Sequence, residues 1–436
     1  MKNIYVILLV SSILTLTACN SNKEDKTNMK PSKVELKFKN DVYRLYVDNK
    51  EFYVKGAGCE CWDIPSLAAH GANSFRTWMD SEAHRDGLEM LDEAHEYGLK
   101  ILMGIKVGRE RHGFDYDDEQ AVATQFEEIK KTVMLFKDHP ALLGWGIGNE
   151  LNLRAANLKV WDAVNDISKM IHEIDGNHPT TTMLAGIGKR DIDYMESIDI
   201  DLDFISIQMY GDIVNLQTRI DEADYDGPYM VTEWGATGHW EMPSTEWGAA
   251  IEQTSTEKAK SIIERYKSVI KADNKNCLGS YVFLWGQKQE RTPTWYGLFT
   301  ENGEEMEAIS AMHYLWNGKW PEDRIPEIVS ASLDGKGRFD NIRLSAGKKY
   351  TASIESNDPD GDPLTLRTEI LLESNDLRDG GDLESRPDRV NASISDLSDG
   401  KFTITAPIKP GPYRLFFYVL DGHNHAATVN IPFFVD

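Results

Sequence analysis

Two glutamates that follow apolar runs are the residues of this chain best suited to chemistry. Glu150 ends a Gly-Asn-Glu motif after the run 142–147, and Glu233 follows the run 228–231. A pair of carboxyl groups can cleave a glycosidic bond. One gives a proton to the leaving oxygen, and the other meets the positive charge that develops on the sugar. The pair therefore predicts acid–base chemistry on a carbohydrate, with the two carboxyl groups about 5–5.5 Å apart.

The segments that must position these glutamates alternate between strand-like and helix-like patterns. Strands are predicted at residues 52–56, 73–78, 100–105, 142–148, 180–185, 204–210, 229–233 and 279–285. Apolar side chains at three- and four-residue steps predict helices at residues 86–97, 118–136, 158–174 and 256–270. This alternation predicts an α/β fold, a (β/α)8 TIM barrel, with its active site at the C-terminal strand ends. Glu150 then ends the fourth strand and Glu233 the seventh.

The chain around the barrel divides into further segments. An alternating hairpin at residues 34–38 and 43–47 leads into the barrel, which we place at residues 33–322. A proline-containing linker at 321–326 follows. Beyond it the helical period is lost, and short alternating strands predict an all-β, immunoglobulin-like sandwich over residues 327–436. Those strands are expected at residues 350–355, 365–371, 401–405, 413–420 and 427–433.

The N-terminus has the pattern of an export signal. A basic start and an apolar run at 4–14 precede Leu-Thr-Ala-Cys, which resembles a bacterial lipobox ending at Cys19. We predict a lipoprotein signal at residues 1–19 with lipidation of Cys19, and a polar tether at 20–32. The alternative is a plain secretory signal with an incidental cysteine. The protein would be a bacterial outer-membrane lipoprotein, at the cell surface or on the periplasmic face, touching the membrane only through its lipid.

Composition limits the partners. The formal net charge of −24 disfavours nucleic acid and anionic membranes but is compatible with a neutral polysaccharide or oligosaccharide. We expect a monomer without a cofactor. We also expect no metal ion, because no His or Cys pair stands at ligand spacing near Cys59 and Cys61. The acidic turn from Asp358 to Asp362 leaves two interpretations open, a calcium site or a polar turn, and we favour the turn.

The two glutamate motifs resemble the clan of retaining (β/α)8 glycosidases that includes family 2 β-galactosidases and family 5 cellulases. The resemblance implies that Glu150 is the acid/base and Glu233 the nucleophile. It also implies that Tyr210 hydrogen-bonds the nucleophile and that Trp285 stacks on the sugar, although Trp285 could instead pack in the core.

Four further residues are expected to serve the substrate site. Asn149 could bind the sugar 2-hydroxyl. Arg76, near the tip of the second strand, would hold the nucleophile ionised or act as a structural ion-pair partner. Trp240 and His239, on the loop after the seventh strand, are candidate sugar-binding residues because indoles suit the apolar faces of sugars.

The overall plan is most similar to family 158 endo-β-1,3-glucanases, and the segment 52–56 is similar to family 72 β-1,3-glucanosyltransferases. These resemblances imply a retaining, endo-acting β-glycoside hydrolase on β-1,3-glucan. The alternatives are a β-glucanosyltransferase, another β-glycosidase such as a β-galactosidase or β-mannanase, and a non-catalytic glycan-binding surface lipoprotein.

Overall fold

A computed structural model describes residues 30–60, 62–82, 85–398 and 400–436. The predicted signal, Cys19 and most of the predicted tether lie outside these residues. Among the helices of the described ranges, none combines the length and the apolar character that crossing a membrane requires.

A small antiparallel sheet closes the bottom of the barrel. Its strands are β1 (Val34–Lys39), β2 (Val42–Val47) and β3 (Lys50–Glu51). Leu45 and Val47 are buried against the N-terminal ends of the barrel strands, where they meet Val54, Leu102 and Leu278. The C-terminal strand ends are thus the open face of the barrel.

Eight parallel strands form a closed barrel. They are β4 (Val54–Cys59), β5 (Ser74–Arg76), β8 (Lys100–Ile105), β9 (Leu142–Asn149), β10 (Thr180–Ala185), β11 (Phe204–Gln208), β12 (Tyr229–Glu233) and β13 (Cys277–Trp285). Their spatial order is β10-β11-β12-β13-β4-β5-β8-β9. A short ribbon of β6 (Ser81–Glu82) and β7 (Arg85–Asp86) lies between β5 and β8. The predicted (β/α)8 barrel is confirmed.

Helices surround the barrel, and local sequence explains where they form. They are α1 (Ile64–Ala69), α2 (Gly87–Glu96), α3 (Glu119–Phe136), α4 (Lys159–Ile174), α5 (Lys189–Ser197), α6 (Leu216–Glu222), α7 (Ser255–Arg265) and α8 (Glu307–Asn317). In α4, Val160, Val164, Ile167 and Ile171 recur at three- and four-residue steps and are all buried. Helices α2 and α7 each begin with a capping box, which satisfies backbone N–H groups of the first turn.

The C-terminal part is a sandwich of two β-sheets. The strands are β15 (Glu327–Leu333), β16 (Ile342–Leu344), β17 (Lys349–Asn357), β18 (Thr365–Leu372), β19 (Ile394–Ser398), β20 (Lys401–Thr405), β21 (Gly411–Leu420) and β22 (His425–Val435). One sheet has the order β15-β17-β20-β19, and the other contains β18, β21, β22 and β16. Apolar side chains from both sheets form one buried cluster.

The sandwich and the barrel share a sheet. A short strand before α8, β14 (Glu305–Met306), pairs in parallel with β22. Nearby, the buried guanidinium of Arg414 binds Glu373 within the sandwich and the backbone oxygen of Ala250 in the barrel domain, at 2.7 and 2.9 Å. The two parts are therefore joined by backbone pairing as well as by side chains.

Candidate active site

The barrel brings both glutamates to one cleft at its open face. Glu233 is the last residue of β12, and Glu150 directly follows β9. The chain turns sharply there, with φ of 75° at Gly148 and 53° at Glu150. A left-handed backbone is uncommon for a residue with a side chain and marks a position that the surrounding structure enforces. Both side chains line a cleft of about 1170 Å³.

The Glu233 carboxylate accepts hydrogen bonds from four side chains. Its Oε1 accepts from Trp78 Nε1 at 2.8 Å, Gln208 Nε2 at 3.1 Å and Arg76 Nη1 at 3.2 Å. Its Oε2 accepts from the Tyr210 hydroxyl at 2.8 Å, the bond that the resemblance implied. Hydrogen bonds of this kind fix the orientation of the carboxyl group.

Arg76 supports the site from below and does not line the cleft. Its side chain is fully buried, and its Nη2 donates to Asn149 Oδ1 at 2.8 Å while Nη1 meets Glu233. The guanidinium also lies over the Trp78 ring, 4.7 Å from the centroid. The predicted ion pair between Arg76 and the nucleophile is present, and the fully buried guanidinium lies below the cleft. Arg76 is therefore a positioning residue that ties the fourth strand to the seventh.

The side-chain amide of Asn149 is oriented so that its nitrogen can donate a hydrogen bond to a ligand. Its Oδ1 accepts from Arg76 and from Gln208 Nε2, both at 2.8 Å. This pattern assigns the oxygen to the buried side of the amide. The NH2 group is then the part of Asn149 available to a substrate hydroxyl in the cleft that the residue lines.

The environment of Glu150 suits a proton donor. Burial, followed by the nearby charge of Glu233, raises the pKa of Glu150 to about 7, against the opposing effect of Arg109, Arg111 and Arg76. A carboxyl group with such a pKa is still partly protonated at neutral pH. This is the condition for a general acid that works there.

Two other predicted residues lie at the cleft. Trp240 is 60% exposed, with its ring 5.6 Å from that of Tyr210. His239 packs against Trp240 at 4.9 Å, and its Nε2 lies 3.5 Å from Glu290. The aromatic residues that line the cleft are Trp78, Phe114, Tyr210, Trp240, Phe283 and Tyr296. Their rings offer the apolar surface that sugar binding uses.

Trp285 does not reach the cleft, so the prediction that it stacks on a sugar is wrong. It is fully buried, and its ring packs on Phe299 at 5.5 Å and on Trp316 of α8 at 6.3 Å. Its indole nitrogen donates to the backbone oxygen of Asp63. The alternative interpretation, core packing between strand and helix, is the correct one.

Trp78, Gln208 and Arg109 are residues of the site that were not predicted from the sequence, and Gln208 left a signal that could have been used. Gln208 is a polar residue at the end of the apolar strand β11, and it stands in register with Glu233 of β12. A buried polar side chain at a C-terminal strand end could have been assigned to the site on that basis. Arg109, whose Nε donates to the backbone oxygen of Asn149 at 3.1 Å, comes from a loop and gave no such signal.

The acidic turn near residue 358 has the bonds of a polar turn. Asp358 Oδ1 accepts from the backbone N–H groups of Asp360, Gly361 and Asp362 at 2.9, 2.9 and 3.1 Å. An aspartate that folds back on its own backbone in this way is a standard turn former.

A closed barrel that presents two carboxyl groups in one cleft at its C-terminal strand ends has the architecture of a glycoside hydrolase. Residues 54–303 match the family model for the TIM barrel domain of glycosyl hydrolases family 2. The chain belongs to this family. No curated protein matches it in sequence.

Solved structures share the fold at low identity. A β-glucuronidase 2 of Bacteroides uniformis, covalently bound to cyclophellitol-6-carboxylate aziridine, matches with a TM-score of 0.52 and 14% identity over 92% of this chain and 48% of that one. A β-galacturonidase of Eisenbergiella tayi bound to galacturonate matches with a TM-score of 0.50 and 15% identity, over 66% and 54%. The chain thus spans about half the length of these proteins.

Proposed function

We propose that this protein is a retaining β-glycoside hydrolase. The observation that carries the proposal is the pairing in one cleft of an oriented carboxylate, Glu233 with its four donors, and a carboxyl group of raised pKa, Glu150. Two carboxyl groups with such different environments are suited to divide the work of nucleophile and acid. Attachment to the outer membrane through Cys19 stays a prediction from the sequence.

The mechanism proceeds in two displacements. Glu233 attacks the anomeric carbon while protonated Glu150 gives its proton to the leaving oxygen, and a glycosyl ester forms on Glu233. Water then enters, Glu150 takes its proton, and the ester is hydrolysed with the original anomeric configuration. Tyr210 and Arg76 hold the nucleophile, and Asn149 is placed to bind the sugar 2-hydroxyl.

Two substrate classes have support of different kinds. The likeness to families 158 and 72 favours β-1,3-glucan and internal cleavage, and it rests on the sequence. The cleft itself favours β-uronides as a second candidate. The cationic side chains of Lys106 and Arg109 line it. The carboxylate of a uronic acid would pair with such cations. The two matched structures are named as a β-glucuronidase and a β-galacturonidase.

A substrate panel tests the proposal. We expect the purified protein to hydrolyse a β-glycoside among laminarin, lichenan, mannan, xylan, galactan and the nitrophenyl β-glycosides of glucose, galactose, glucuronate and galacturonate. Reducing-end or nitrophenol release identifies the substrate, and proton NMR of the first product should show the β-anomer. A first-formed α-anomer would contradict retention, and no release from any member would overturn the function.

The raised pKa of Glu150 predicts the basic limb of the pH profile. Since the acid must be protonated, kcat/KM should fall as pH rises through about 7. Arg109 lowers the pKa of Glu150. Its removal in Arg109→Met should therefore move the limb to higher pH, whereas Arg109→Lys, which keeps the charge, should leave it closer to wild type. Profiles with equal midpoints in both variants would contradict this assignment of the limb.

A further inference from the structure

A segment of the sandwich reaches over the barrel and forms part of the cleft. It comprises residues 376–385, between β18 and β19, and is called the arm here. Its residues 379–383 line the same cleft as Glu150 and Glu233. The sandwich is therefore part of the site.

The base of the arm is fixed by a buried carboxylate. Glu384, 8% exposed, forms an ion pair with the guanidinium of Arg291 and accepts from the backbone N–H groups of Arg291 at 2.6 Å and Arg378 at 2.9 Å. Asp376 accepts from the backbone N–H of Ser385 at 3.0 Å, which closes the segment on itself. These bonds give the arm one defined position.

The tip of the arm docks on three barrel loops. Asp382 binds Arg111 at 2.9 Å and Asp379 binds Arg154 at 2.8 Å. Lys288 Nζ donates to the oxygen of Gly381 at 2.7 Å. A Cβ at Gly380, whose φ is 59°, would lie 2.6 Å from the Leu153 side chain. The approach of the arm to the barrel therefore depends on glycine.

These contacts place the arm on the side of the proton donor. Leu153 and Arg154, which the tip touches, belong to the turn that directly follows Glu150. The arm's partner Arg111 is also close enough to Glu150 for its charge to act on that carboxyl group. The proton donor must face the leaving oxygen, and so the leaving group lies on the arm's side of the cleft.

We propose that the arm recognises the leaving group, with Leu383 packing against the sugar released by the first displacement. Leu383 is 88% exposed and yet lines the cleft, so the residues that the structure describes leave its side chain largely uncovered. An aliphatic side chain in this place suits the apolar face of a pyranose ring. The inference rests on the proposed function, because it takes Glu150 as the proton donor.

The variant Leu383→Ser tests whether the arm recognises the leaving group. It is assayed on two substrates that carry the same glycone, which is the sugar that the substrate panel identifies. In the β-linked disaccharide the leaving sugar reaches the arm, whereas in the β-glycosyl fluoride the fluoride ion is too small to do so. We expect kcat/KM for the disaccharide to fall about tenfold, mainly through KM, with little change for the fluoride. The control Ile408→Ser makes a similar change at an aliphatic residue of the same domain that is 77% exposed and lies outside the cleft. It should change neither value.

Each other outcome has a defined meaning. If the wild type is active and Leu383→Ser keeps the wild-type kcat/KM on both substrates, the arm's role is overturned and the hydrolase proposal stands. Equal losses on both substrates also overturn it, since they would place Leu383 at the glycone. A wild type that cleaves no glycoside overturns the proposed function and this inference with it. Asp382→Asn, which weakens the bond to Arg111, should reproduce the selective loss on the disaccharide.

Discussion

Glu233→Ala should reduce turnover by at least about 10⁴-fold, because the nucleophile that forms the glycosyl ester is then missing. The substitution also leaves Arg76 buried without its carboxylate partner, which costs about 3–5 kcal/mol of stability in comparable cases. Thermal unfolding should therefore accompany the kinetics. Glu233→Gln, which keeps an oxygen for the same donors, should be as inactive but closer to wild type in stability.

Azide separates lost chemistry from lost structure in Glu233→Ala. A small anion can occupy the space of the missing carboxylate and attack the anomeric carbon of an activated aryl glycoside. The product should be the α-glycosyl azide, opposite in configuration to the substrate. The matched change Glu127→Ala, on the exposed face of α3, should keep full turnover and show no azide effect. Full activity in Glu233→Ala would refute the assignment of the nucleophile.

Glu150→Ala should give a loss that depends on the leaving group. For a disaccharide, whose leaving alkoxide needs a proton, we expect kcat/KM to fall by about 10³- to 10⁴-fold. For a dinitrophenyl glycoside the first displacement needs little acid assistance, so kcat/KM should fall far less. The second displacement would then be slow, because the water lacks its base.

The azide product again identifies the residue. In Glu150→Ala, azide needs no base and should intercept the glycosyl ester to give the β-glycosyl azide, with a rise in kcat for the dinitrophenyl substrate. The opposite configurations in the two variants assign the two roles independently of each other. Equal losses on both leaving groups would show that Glu150 is not the proton donor.

The barrel could be predicted because its strands are continuous apolar runs with polar breaks. Residues 100–105, 180–185 and 229–233 are strands with the predicted ends. The places of both glutamates could be predicted from the barrel strands that they end or follow, since a C-terminal strand end in a closed barrel points to the open face. In the sandwich, β15, β16 and β19 were not predicted, because they are short or partly exposed and carry a weaker alternation.

The errors at the site have physical causes. An indole at a strand end can face the cleft or the helix layer, and sequence does not distinguish Trp285, which packs inside, from Trp78, which donates to Glu233. The arm has no periodic pattern and depends on pairs far apart in the chain. Arg111 and Asp382 are 271 positions apart. A contact between residues so far apart in the chain leaves no local pattern in the sequence.

The parallel pairing of β14 with β22 has a consequence for how the molecule can be divided. Cutting the chain at the linker would remove β22, the strand that pairs with β14. The backbone N–H and C=O groups of β14 beside α8 would then be unpaired, and an exposed strand edge of this kind favours self-association. Removing the sandwich would also remove the arm, whose residues 379–383 line the cleft. We therefore expect the barrel and the sandwich to be needed together for activity and to unfold in a single thermal transition.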